Sequence, residues 1–159
     1  MAKAGYSIVT GGAVSLSAST AKTVLGVKSA DDFGLDLKKV WLGFTGTSAS
    51  EAPAVVEVCY ATFATNAPGT NSTTLTAPAV TQIYGRALTH GVSAAKNWTS
   101  EPTVLTVIAE FTLTPNGGTI LYDWPLGDTP DCAFDHGFVL RCTAAASTSV
   151  RASMVFERC

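Results

Sequence analysis

The segment Ser149-Val150-Arg151-Ala152-Ser153-Met154-Val155-Phe156-Glu157 places Val150, Ala152, Met154 and Phe156 on one side and Arg151, Ser153, Val155 and Glu157 on the other. Successive side chains of an extended backbone point to opposite faces, so this period-two alternation is that of a half-buried β-strand. Similar patterning recurs from Leu35 onward between Gly, Pro, Asn and Thr punctuation. The chain therefore reads as all-β, an antiparallel β-sandwich of jelly-roll or related Greek-key topology.

Working back from that strand, residues 137–143 form another, preceded by an irregular crossing over 125–135. Residues 104–113 carry Leu105, Val107, Ala109, Phe111 and Leu113 on one face and are expected to form a central strand. Thr114-Pro115-Asn116-Gly117-Gly118 breaks that strand, and its Asn-Gly pair favours a tight reversal into 119–124. Residues 54–63 are apolar on both faces apart from Glu57 and Thr62, which predicts a central strand covered on both sides. Leu35 and Leu37 alternate in one phase and Val40, Leu42 and Phe44 in the next, and the slip at Lys38-Lys39 predicts a β-bulge. A small-residue loop is expected over 47–53 and a further strand over 21–27. Short strands at 73–76 and 80–84 surround Pro78, which marks an edge or a break.

Two regions lack a sustained period. Residues 86–102 read as a long functional or interfacial loop with a short helix at 93–96. Residues 1–20, mostly small and interrupted by Gly11-Gly12, read as an extended N-terminal arm, held by a sheet or by a neighbouring subunit and not part of the core. Residues 21–159 then make a single β-sandwich domain with no internal repeat.

Composition limits the function classes. Of 159 residues, 47% are hydrophobic and 14% are charged, against about 25% charged in an ordinary soluble domain. A surface poor in Lys and Glu resembles the inside of an assembly, because interface cores are depleted in charge. The net charge is -2, the sequence pI is about 5.6 and the ten Lys and Arg residues are scattered, which argues against a nucleic-acid partner. Lys38-Lys39, the most basic local feature, reads as a solvated strand edge. No window approaches the roughly 20 apolar residues of a membrane helix. The N-terminal residues lack the long apolar core of a signal peptide, so the chain is expected to stay in a cytoplasm or to leave it inside an assembly.

No catalytic, cofactor-binding or metal-ligating residue is assigned. Cys59, Cys132, Cys142 and Cys159 lack zinc-site spacing; Cys59 and Cys142 read as buried small hydrophobes, and Cys159 as a thiol able to cross-link subunits. Asp123, Asp128, Asp131 and Asp135 lack the alternate spacing of a calcium loop and read as turn formers. His136 beside Asp135, and His90, could act as bases, yet no nucleophile elbow accompanies them. The glycine pairs are not phosphate cradles, and the sequons at Asn71 and Asn97 read as coincidences of a Thr-rich chain. Trp41, Tyr60, Phe63 and Phe111 are expected in the core. Trp98 and Trp124 stand beside loops, where each could stack on a sugar, anchor a neighbour or cover an end of the sandwich, the last two uses being preferred.

The order of features resembles a group of small tailed-phage virion proteins, the capsid decoration or cement proteins. The resemblance runs from about Leu25 to Glu157. It rests on Leu25-Gly26-Val27-Lys28, on Trp41-Leu42-Gly43-Phe44-Thr45-Gly46-Thr47-Ser48 followed by Ala52-Pro53, and on the strand at 55–63. Asn97-Trp98-Thr99-Ser100-Glu101-Pro102-Thr103, Thr114-Pro115 and Phe156-Glu157 continue it, and the ending Arg158-Cys159 departs from the family pattern. It implies a jelly-roll or tumour-necrosis-factor-like sandwich that forms a homo-trimer and binds the major capsid protein on the outer surface of the shell. It carries over no catalytic residue and no cofactor. The alternatives are a lectin-like glycan-binding sandwich using Trp98, Trp124 and nearby aspartates, a subunit of another extracellular assembly or filament, and a hydrolase using His136 and Asp135.

Overall fold

A computed structural model describes residues 4–46 and 52–159. The loop expected over 47–53 therefore lies mostly outside the described residues. Thirteen strands are described: β1 Gly5–Val9, β2 Val14–Leu16, β3 Lys22–Lys28, β4 Leu35–Phe44, β5 Ala54–Ala61, β6 Thr73–Thr74, β7 Val80–Tyr84, β8 Ser93–Lys96, β9 Leu105–Leu113, β10 Thr119–Asp123, β11 Asp131–Cys132, β12 Gly137–Thr143 and β13 Thr148–Arg158. There is no helix among the described residues, and two antiparallel sheets pack face to face as a β-sandwich.

The first sheet runs β10-β4-β13-β1-β7, with β11 added to β4 and β2 to β13; the second runs β6-β8-β3-β12-β5-β9. Strand β13, which carries the opening alternation, lies inside the first sheet between β4 and β1. Val150, Ala152, Met154 and Phe156 are all buried against the facing sheet. Val24, Leu25, Val27, Val56, Val58, Phe138 and Leu140 supply the other half of this core.

Bulges interrupt several ladders. Val155 pairs with Lys39 and Phe156 with Leu37, leaving Lys38 as the extra residue that the change of phase predicts. The bulge turns Lys38 toward Glu157, with Nζ 3.3 Å from Oε2. Ile83 is skipped in the same way where β7 meets β1, and Ile108 where β9 meets β5.

Several expectations are corrected. Within the segment expected as an arm, residues 4–20 do not stand apart from the core. Strand β1 lies between β13 and β7, β2 pairs with β13, and Tyr6, Ile8, Val14 and Leu16 are buried in the main core. Each of these strands shows alternation over only three to five residues, and Gly11-Gly12 separates them, so neither stands out as a strand in a sequence window. Residues 93–96 form β8 and not a helix: Ala94 and Ala95 face opposite sides of the sheet, and both find buried packing. Strand β9 is an edge and not a central strand. The reversal at 114–118 closes with the Gly118 amide donating to Thr114 O at 3.0 Å, but it carries the chain from the second sheet to the first and does not form a hairpin. Pro78 does mark a break: β6 edges the second sheet and β7 edges the first.

Candidate functional site

The histidines and their neighbouring acids come first, since they are the most reactive-looking groups in the sequence. Asp135 enters β12 with φ 64°, its amide donating to Ala30 O at 2.9 Å. Its carboxylate pairs with Lys28, and that contact lowers its pKa below the ordinary carboxylate value. His136 faces elsewhere. Its Nδ1 meets the Tyr60 hydroxyl, and its ring stands edge-on to Tyr60 at 5.5 Å between centroids. His90 Nδ1 accepts from the Val92 amide at 3.2 Å, with the ring edge-on to Tyr6. Asp135 and His136 thus bind different partners and are not arranged as an acid–base pair.

The other candidate groups are also dispersed. Asp123 pairs with Lys39 at 2.6 Å on the outer side of the first sheet, and Asp131 lies opposite Asp36 in the β11–β4 ladder. Among the described residues, no three His, Cys, Asp or Glu side chains converge as metal ligands. Cys59, Cys132 and Cys142 are buried, and Cys159 is exposed. Burial pushes the Cys59 and Cys132 thiols up to about 11 and the Cys142 thiol further, because each thiolate would lose its hydration.

The aromatic residues remove the sugar-stacking alternative at Trp98 and reverse the expectation for Trp41. Trp98 is only 1% exposed and cannot offer a face to a sugar. It caps a second, smaller core on the outside of the second sheet, against Cys59, Ala61, Phe63, Ala95 and Val139. Its indole N–H donates to Asn66 O at 2.8 Å, and Gly26 leaves room beneath it, since a Cβ there would come within 2.9 Å of the ring. Glu101 fastens this cover by accepting from the Thr23 amide at 2.7 Å and the Thr23 hydroxyl at 2.6 Å. Beside it, Arg141 grips Glu57 through two bonds of 2.6 and 2.9 Å. The 86–102 region thus supplies a strand and a lid over the protein's own sheet. An open depression of about 280 Å³ beside this lid is lined by Ser17, Thr20, Ala21, Lys22, Trp98 and Thr99, and its one charged group, Lys22, donates to Ser15 O at 3.0 Å.

Trp41 is a correction, because it is not in the core. Val40, Leu42 and Phe44 point inward, so the alternation itself assigns Trp41 to the outer face. There Leu121 lies opposite Trp41, Trp41 opposite Ser153 and Ser153 opposite Val9, a row across four strands. Leu121 is 58% exposed, and Trp41 and Val9 are half-buried. Gly43 and Arg151 form the next row. Trp124 packs edge-on to Tyr122 at 4.7 Å, and Tyr122 meets Phe111, closing the side of the sandwich where β9 and β10 lie.

The two outer faces therefore differ. The second sheet is roofed by Trp98 and its loop, whereas the Trp41 row of the first sheet is open and itself uncharged, with the Lys39–Asp123 ion pair in the row on one side of it and Arg151 in the row on the other. That open face is the candidate interaction site. The chain matches no family model and no curated protein.

Proposed function

We propose that this protein is a structural subunit that docks on the outer surface of a larger protein shell and stabilises it, the shell of the resemblance being a tailed-phage capsid. The observation that carries this reading is the open outer face of the first sheet, with Trp41 at its centre and Leu121, Ser153 and Val9 in line with it. A half-buried aromatic ring beside the exposed Leu121, in an uncharged row rimmed by the Lys39–Asp123 pair and Arg151, supports docking by burial of apolar area within a polar rim, since Trp is enriched among the residues that dominate interface energy. The low overall charge agrees with such a role. As a homo-trimer the molecule presents three such faces, and modest contacts then add through high effective concentration. Assembly takes place in the host cytoplasm, and the finished position is the capsid surface.

The test is co-sedimentation of the purified chain with capsid shells assembled without it. Saturable binding and a higher shell melting temperature are expected, and Trp41→Ala should lower occupancy at least tenfold without altering the mass of the free protein. Wild-type protein that stays in the supernatant at all shell concentrations overturns the reading.

A further inference from the structure

The two lateral sides of the sandwich are not alike. On one side the first sheet ends in β7, and on the other the second sheet ends in β9. Each edge strand is bulged at an isoleucine, and the bulge leaves that side chain outside: Ile83 is 49% exposed and Ile108 is 41% exposed. Leu88, 52% exposed, extends the β7 patch, and Val107, 41% exposed, extends the β9 patch. A bulge disfavours continuous strand addition along an edge, so these sides are suited to side-chain packing more than to a shared ladder.

Each side carries one exposed charge without an ion-pair partner among the described residues, and the two are opposite in sign. Glu110, on β9, lies across from Glu57, whose carboxylate is already held by Arg141. Glu110 has no cation among the described residues, and Arg86, which follows β7, has no carboxylate among them. Pairing like sides would bring two acids or two bases together. Pairing unlike sides sets Arg86 against Glu110 and isoleucine against isoleucine.

We propose that copies of this chain associate head to tail, the β7 side of one (Ile83, Arg86, Leu88) packing on the β9 side of the next (Val107, Ile108, Glu110). A heterologous contact of this kind closes into a ring when the rotation between copies permits. The contact deepens the oligomer invoked above and rests on that reading only for the copy number. It leaves the Trp41 face free for the shell.

The experiment is a mass measurement in solution on full-length chains, with no capsid present. Wild type should be oligomeric. Arg86→Glu and Glu110→Arg should each raise the half-assembly concentration about tenfold, and the double reversal should recover most of that loss. Ile83→Asp and Ile108→Asp change exposed residues and should melt as wild type does, yet each alone should be monomeric. Mixed, they should form a dimer and nothing larger, because each retains the edge that the other lacks. A monomeric wild type, single variants that assemble normally, charge reversals without rescue, or a mixture that stays monomeric would each overturn the proposal. Shell binding by a monomeric wild type would leave the docking function standing, so the two readings fail separately.

Discussion

The Tyr84 hydroxyl donates to Glu157 Oε1 at 2.8 Å, tying the edge strand β7 to the last strand β13 across the intervening β1. Gly5 makes this possible, since a Cβ there would stand 2.1 Å from Tyr84 Cζ. The Tyr84 ring covers this part of the outer face, where Glu157 is only 8% exposed and also meets Lys38. Tyr84→Phe should cost about 1–2 kcal/mol, the range for a hydrogen bond to a charged acceptor at a partly exposed site. Equilibrium denaturation at neutral pH measures it, and an unchanged midpoint would refute the tie.

The same contact carries a pH dependence. Burial first, and then the bond to Glu157, raises the Tyr84 hydroxyl from 10.0 to about 12. A pKa raised by folding means that the contribution is complete below pH 10 and is lost as pH climbs through about 12, because the unfolded chain gives up its proton first. The stability difference between wild type and Tyr84→Phe should therefore shrink between pH 10 and pH 12. A difference that is constant across that window would exclude Tyr84 as its source.

The thiols offer a test of burial independent of stability. Cys159 is exposed, whereas Cys59, Cys132 and Cys142 are buried with thiols pushed above their ordinary value. A disulfide reagent at pH 8 should label one thiol per native chain quickly and the other three only on unfolding. Cys159→Ser should remove the fast phase; two fast thiols would contradict the packing.

The N-terminal strands turn a sequence expectation into its opposite. An arm on a neighbouring subunit could be deleted with the domain intact. Tyr6 instead stacks on Phe156 at 5.7 Å and donates to Leu88 O at 2.8 Å, and Ile8 is wholly buried. Burying Tyr6, Ile8, Val14 and Leu16 contributes on the order of 6–12 kcal/mol, as much as the whole stability of many domains. Removing residues 1–16 should leave an unfolded or insoluble chain, and Tyr6→Ala alone should cost about 3–5 kcal/mol. A truncated chain with wild-type circular dichroism and melting would restore the arm.

These outcomes show where the sequence is legible. Long strands with a steady phase, such as β13 and β12, declare themselves, and the Lys38 bulge is visible because the phase slips within one strand. Whether a strand is central or an edge is not visible in its own pattern. Strand β9 has an apolar face, but its place depends on the absence of a further partner, which is a property of the whole topology. Trp41 is legible from the alternation, which puts it outside, although its residue type suggests the core. A covering use for Trp98 is legible, but its place is not: it depends on Gly26 in one strand and Asn66 in a distant loop meeting at a single indole.

Val104 is the position where local and global preferences conflict most sharply. It has φ 58° while remaining 60% exposed, so a β-branched side chain sits in the left-handed region without a buried contact that offsets the strain. The conformation is imposed from both sides. Val104 O accepts from the Thr62 amide at 3.3 Å, and β9 begins at the next residue, paired with Ala61. Asparagine tolerates this region far better than valine does. Val104→Asn should keep the Thr62 bond and raise stability by about 1 kcal/mol, whereas Val104→Ile should leave it at or below wild type. Denaturant midpoints for the two variants decide the matter, and a destabilised asparagine variant would show that the valine side chain is held by a contact worth more than the strain it carries.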